Sequence, residues 1–136
     1  MEDTPHGPPV RVLIVDDDET ALTFFEQILV EEGYRVCALP TVEAALEEAA
    51  SSPPDVALLD LHLPLTDGLE CLRRLRAAPL RLAVPVAIIT GDYFLDEDVA
   101  RELQALGARI QLKPVWEDDL RRLVGELLSQ RAGQLS

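Results

Sequence analysis

Five polar side chains stand directly after the apolar segments of this sequence that are predicted to form strands. They are Asp16, Asp17, Asp60, Thr90 and Lys113. Three carboxylates brought close together cannot all stay ionised unless a cation joins them, and an all-oxygen site suits Mg²⁺ far better than zinc. A threonine hydroxyl and a lysine ammonium can hydrogen-bond and neutralise the oxygens of a group attached to a carboxylate. The set therefore predicts a divalent-metal site that receives a phosphoryl group.

These side chains converge only if the strands that precede them lie parallel in one sheet. Short apolar runs alternate with stretches in which apolar residues recur at helical spacing, which predicts five strand–helix units. The predicted strands are Arg11–Val15, Tyr34–Leu39, Val56–Leu59, Val86–Ile89 and Arg109–Leu112. Regular alternation favours an α/β fold, a flavodoxin-like doubly wound five-stranded parallel sheet of strand order 2-1-3-4-5 with helices on both faces. Ligands of such sheets bind beyond the carboxyl ends of the strands.

The composition indicates one soluble domain and excludes several classes of partner. The chain has 136 residues and a net charge of −13, which repels a phosphate backbone and an anionic bilayer alike. We therefore expect no direct contact with nucleic acid or membrane. No apolar run approaches the ~20 residues that span a bilayer, and the first ten residues lack the pattern of a signal peptide, so a cytoplasmic location is expected. Cys37 and Cys71 are interpreted as reduced thiols.

Four motifs give the sequence a specific resemblance to a known family. They are Val15-Asp16-Asp17, Leu59-Asp60-Leu-His-Leu-Pro64 continuing to Asp67-Gly68, Ile89-Thr90-Gly91, and Lys113-Pro114. On these residues the chain resembles the response-regulator receiver domains of bacterial two-component signalling. The resemblance places a receiver domain at residues 10–130. A flexible N-terminal segment is expected at residues 1–9, and a C-terminal tail or the start of a linker at 131–136.

The resemblance also implies a role for each site residue. Asp60 would accept the phosphoryl group, Thr90 would close on its oxygens, and Lys113 would pair with them. Mg²⁺ would be held by Asp17, the Asp60 carboxylate and the backbone carbonyl of His62, with Asp16 acting through bound water. The peptide between Lys113 and Pro114 is expected to be cis.

Partners follow from the same resemblance. The phosphoryl donor would be a sensor histidine kinase or a phosphotransfer protein. The added charge would switch the face formed by helix 4, strand 5 and helix 5, where a downstream target, an output domain or a second copy of the chain docks. The domain would catalyse only its own phosphorylation and dephosphorylation, so it is expected to be a signalling domain and not an enzyme in the ordinary sense.

One position departs from the family pattern. Receiver domains usually carry an aromatic residue three positions before the lysine, and here that residue is Ile110. Tyr93, Phe94 and Trp116 lie nearby in sequence. We interpret them as packing or partner contacts, with a substitute switch as the alternative. His62 and Asp92 are expected at the rim of the site.

Two other functions fit parts of the sequence. Val15–Thr20 and Gly91–Asp96 resemble motifs of haloacid-dehalogenase-type phosphatases, which use an aspartate after their first strand as nucleophile. In those enzymes the lysine precedes the later acidic motif, whereas Lys113 follows it here. A non-phosphorylated pseudo-receiver that only binds proteins is the other alternative, and it is expected to lack at least one of the five polar residues, all of which are present.

Overall fold

Five parallel strands form one sheet flanked by five helices in a computed structural model that describes residues 9–63 and 67–135. The strands are β1 (Arg11–Val15), β2 (Arg35–Leu39), β3 (Val56–Asp60), β4 (Val86–Thr90) and β5 (Ala108–Leu112). The helices are α1 (Glu19–Glu31), α2 (Val42–Ser51), α3 (Gly68–Arg76), α4 (Glu97–Ala105) and α5 (Glu117–Leu135). The strand order is β2-β1-β3-β4-β5, and every neighbouring pair is parallel. The expected fold class is confirmed.

Two apolar layers hold the helices against the sheet. Successive side chains of a strand point to opposite faces, so Leu13 and Val15 belong to one layer while Val12 and Ile14 belong to the other. The first layer joins the sheet to α2, α3 and α4, and the second joins it to α1 and α5. Both faces are buried, which is why the central strands are apolar without alternation.

Local signals set the helix ends. The side chains of Asp18, Thr41, Asp67 and Asp96 cap the N-termini of α1 to α4 by accepting backbone N–H groups of the first turn. Gly33, just beyond α1, has a φ of 95°, a conformation that residues with a Cβ adopt only with strain.

The observed bounds differ from the predicted ones at a few positions. Asp60 and Thr90, predicted to follow their strands, are the last residues of β3 and β4. The ladder continues this far because Asp60 pairs with Ile89 and Thr90 with Leu112. Helix α5 continues to Leu135, so residues 131–135, expected as a tail or linker, are helical. The predicted flexible segment falls mainly on residues 1–8, outside the described residues.

Two further expectations concern the whole chain. Cys37 and Cys71 are both free, as expected, with Cys71 buried and Cys37 half-buried. Within the part of the chain that the structure describes, no helix is both long enough and apolar enough to cross a bilayer.

Candidate functional site

The five polar residues singled out by sequence are gathered at the carboxyl edge of the sheet. Asp16 and Asp17 follow β1, Asp60 ends β3, Thr90 ends β4, and Lys113 follows β5. Backbone hydrogen bonds tie these strand ends together. The Leu61 N–H donates to the Ile89 carbonyl at 3.0 Å, and the Lys113 N–H donates to the Thr90 carbonyl at 2.8 Å.

The acidic side chains form one cluster. A carboxylate oxygen from each of Asp16, Asp17 and Asp60 lies within 4.8 Å of the other two. Asp16 and Asp60 are only 2% and 6% exposed, whereas Asp17 is open to solvent. The donor set is all oxygen, has one open side, and carries more negative charge than the neighbouring lysine can neutralise. These features fit Mg²⁺.

The electrostatic cost of the cluster appears at Asp16. Its pKa is raised from 3.8 to about 6, mainly because burial disfavours the charged form, and the negative charge of Asp60 adds to the effect. The N–H of Asp18, which donates to Asp16 Oδ1 at 2.9 Å, and the charge of Lys113 both act in the opposite direction. A cation among the three carboxylates would favour the ionised form.

Asp60 is held from two sides. Its Oδ1 accepts the N–H of His62 at 3.3 Å, and its Oδ2 lies 3.5 Å from the Lys113 ammonium. Thr90 is completely buried, and its Oγ1 accepts the N–H of Asp92 at 3.1 Å. A hydroxyl that accepts in this way keeps its own hydrogen free to donate to a further oxygen.

A close contact behind Asp60 was not anticipated from the sequence. Gly68 begins α3, and its N–H donates to the Leu61 carbonyl at 2.9 Å. A Cβ at this position would lie 2.4 Å from the Asp60 carbonyl oxygen. Only glycine lets α3 start this close to the peptide of Asp60. The Asp67-Gly68 motif was visible in the sequence, but the spacing of residues does not reveal that Gly68 lies against the peptide of Asp60.

The two expected rim residues line one cavity. His62 and Asp92 lie in its wall together with Asp67 and Asp96, between the loop after β3 and the loop after β4. The His62 side chain is exposed, as expected for a rim residue. The Asp92 carboxylate accepts the N–H of Phe94 at 3.0 Å, which orders the loop after β4.

The aromatic residues near the site fall into two groups. Tyr93 donates its hydroxyl hydrogen to the Lys113 carbonyl at 2.7 Å, a contact that sequence reasoning missed because it joins two separate loops. Phe94 and Trp116 are 94% and 66% exposed. Phe94 is therefore not a packing residue. Ile110, at the position where an aromatic was expected, is partly buried against the layer that contains α4.

Comparison with known families agrees with this geometry. The family described as "Response regulator receiver domain" matches residues 12–125, which include all five strand-end residues. The chain belongs to this family. The matched residues make up most of the chain.

Two curated proteins are similar in sequence to this chain. The receiver domain is 33% identical over 121 residues to the transcriptional regulatory protein PrrA of Mycobacterium tuberculosis, covering 89% of this chain and 51% of PrrA. It is 34% identical over 96 residues to the alkaline phosphatase synthesis transcriptional regulatory protein PhoP of Bacillus subtilis, covering 70% of this chain and 39% of PhoP.

A CheY-like receiver domain protein from Methanospirillum hungatei superimposes with a TM-score of 0.84 at 30% identity. The match covers 93% of this chain and 99% of that protein. The chain thus spans about half, or less, of the curated relatives described above, but nearly all of this solved receiver. The match to the solved structure concerns the receiver fold alone.

Proposed function

We propose that this receiver domain accepts a phosphoryl group on Asp60 from the phosphohistidine of a sensor histidine kinase or a phosphotransfer protein. The observation that carries the proposal is the arrangement around Asp60, whose carboxylate lies beside the other two acidic residues and 3.5 Å from the Lys113 ammonium. A phosphoryl group on this carboxylate would meet a buried hydroxyl on β4 and a cation after β5.

The chemistry requires little from the protein beyond positioning and charge. A carboxylate oxygen of Asp60 forms a bond to phosphorus while the phosphorus–nitrogen bond of the donor breaks, and the electron pair of that bond leaves with the imidazole. Lys113 pairs with the oxygens of the transferred group. The Thr90 hydroxyl, whose oxygen already accepts the Asp92 N–H, donates to one of them.

The metal assigned to the site in this proposal is Mg²⁺, held by Asp17, the Asp60 carboxylate and the backbone carbonyl of His62, with Asp16 acting through water. When bound, Mg²⁺ supplies the positive charge that screens Asp60 from the incoming phosphoryl oxygens. Support comes from the all-oxygen donor set and from the cluster distances.

The partners belong to the same proposal. Phosphorylation adds charge at the strand ends, and the change would be read on the face of α4, β5 and α5 by a downstream protein, an output domain or a second copy of the chain. The relatives PhoP and PrrA are named as transcriptional regulatory proteins. The charge of −13 argues that DNA contact, if the full protein makes it, belongs to another part. The proposal includes the cytoplasmic location expected from the sequence.

The test of phosphoryl acceptance is incubation with acetyl phosphate and Mg²⁺ followed by intact-mass measurement. We expect the native protein to gain one phosphoryl group and Asp60→Asn to gain none. Asp98→Asn is the matched control, because Asp98 is exposed on α4 and pairs only with Arg101 among the described residues. Labelling of Asp60→Asn would contradict the proposal, and so would failure of the native protein to be labelled.

Metal binding has its own test, titration of Asp17→Asn with Mg²⁺ by calorimetry. Removing one of three carboxylates leaves the cation less well neutralised, so we expect the Mg²⁺ dissociation constant to rise roughly tenfold or more. Asp98→Asn again serves as the control and should bind like the native protein. Equal affinity in the Asp17 variant and the native protein would remove Asp17 from the ligand set.

A further inference from the structure

The backbone of Lys113 is held on both sides by one short segment, residues 90–93. The Lys113 N–H donates to the Thr90 carbonyl at 2.8 Å, just beyond the last residue pair of the β4–β5 ladder. Its carbonyl accepts the hydroxyl hydrogen of Tyr93 at 2.7 Å. Strand β5 has already ended at Leu112 and α5 begins at Glu117, so neither element supplies a donor for this carbonyl.

The segment of residues 90–93 is also hydrogen-bonded to the side chain of Thr90. The Asp92 N–H donates to Thr90 Oγ1 at 3.1 Å, and the Phe94 N–H donates to the Asp92 carboxylate at 3.0 Å. These bonds fold the loop back over the end of β4 and aim Tyr93 at the loop after β5. Thr90 and Lys113, the two residues expected to touch the phosphoryl oxygens, are therefore joined through Tyr93.

The position of this peptide matters because the Lys113 side chain is long and 38% exposed. A flexible ammonium loses conformational freedom when it is held near Asp60, and the loss is smaller when its own backbone is already fixed. Ile110, on β5, has no polar atom, so it could not donate this hydrogen bond in place of the Tyr93 hydroxyl.

We propose that Tyr93 is a positioning residue for the phosphoryl-transfer reaction, because its hydroxyl fixes the peptide of Lys113 and so places the ammonium beside Asp60. This inference rests on the proposed function. Tyr93 is not among the residues proposed to contact the phosphoryl group or the metal, and in this proposal it acts only through Lys113.

The first experiment compares Tyr93→Phe with the native protein in the acetyl phosphate reaction, followed by intact mass over time. Tyr93 is 62% exposed, and loss of its hydrogen bond to the Lys113 carbonyl should slow labelling of Asp60 roughly threefold to tenfold. The Mg²⁺ dissociation constant should stay unchanged, because the three carboxylates lie just after β1 and at the end of β3. Tyr34→Phe is the matched control, since Tyr34 is the other tyrosine of the chain and directly precedes β2, at the opposite edge of the sheet from the site.

The second experiment repeats the substitution in a Lys113→Met background. A positioning role predicts that Tyr93→Phe causes no further slowing there, because the ammonium it places is gone. Equal slowing in both backgrounds would show a general structural effect and would overturn the inference. An unchanged labelling rate in Tyr93→Phe, with normal labelling of native Asp60, would overturn this inference alone. Labelling of Asp60→Asn, or none in the native protein, would overturn the proposed function and this inference with it.

Discussion

Asp16 shows most directly what the site costs the folded protein. Its carboxylate is buried next to Asp60, and its pKa is raised from 3.8 to about 6. An acidic group whose pKa is higher in the folded protein than in the unfolded chain destabilises the fold. The full effect is present when the pH lies above the pKa of the folded state. The destabilisation disappears as the pH falls from about 6 towards 3.8, because the folded protein then binds the proton more tightly than the unfolded chain does.

Asp16→Asn should therefore stabilise the metal-free protein. The amide removes the buried charge and keeps an oxygen for the Asp18 N–H, so at neutral pH we expect up to about 3 kcal/mol of added unfolding free energy. Urea denaturation in a chelating buffer measures it, and the advantage should shrink at about pH 5. Added Mg²⁺ should stabilise the native protein more than the variant. A variant no more stable than the native protein at neutral pH would contradict this interpretation of Asp16.

At the scale of elements, the approach of α3 to β3 positions the peptide of Asp60. In Gly68→Ala the new Cβ would lie 2.4 Å from the Asp60 carbonyl oxygen. This distance is too short, so the backbone of α3 or of β3 must shift. We expect a loss of about 1 to 3 kcal/mol in unfolding free energy, together with slower labelling of Asp60. Urea denaturation and the acetyl phosphate reaction measure the two effects.

Gly125→Ala is the control for that substitution. Gly125 lies within α5, and nothing stands within 4 Å of where its Cβ would be. Alanine should therefore raise the unfolding free energy by up to about 1 kcal/mol through helix propensity. If both alanine substitutions changed stability alike, the contact between Gly68 and Asp60 would not be the cause.

The elements themselves were largely predictable because both faces of the sheet are buried. Continuous apolar strands separated by amphipathic helices admit few arrangements, and all five strand-end residues were found from sequence. What escaped prediction depends on contacts between separate elements of the fold. The ladder extends through Asp60 and Thr90, Gly68 meets the backbone of Asp60, and Tyr93 reaches Lys113 across 20 positions of sequence. No local pattern encodes such pairs.

At the scale of the whole molecule, the candidate site occupies one edge of the sheet, and the chain as a whole carries a net charge of −13. The chain spans about half or less of the PrrA and PhoP relatives, and a relative from Cereibacter sphaeroides, of which it covers 31%, is named as a protein-glutamate methylesterase. Similar receivers therefore occur in proteins of different output. In this domain the proposed acceptor of the phosphoryl group is Asp60.

The most direct test of that assignment is to identify which aspartate carries the phosphoryl group. Native protein labelled with acetyl phosphate and Mg²⁺ is reduced with borohydride, which converts an aspartyl phosphate to homoserine, and its peptides are then sequenced by mass spectrometry. We predict homoserine at position 60 and unmodified aspartate at positions 16 and 17. Homoserine at position 16, with Asp60 intact, would contradict the account and would place the nucleophile after the first strand, as in the haloacid-dehalogenase-type phosphatases.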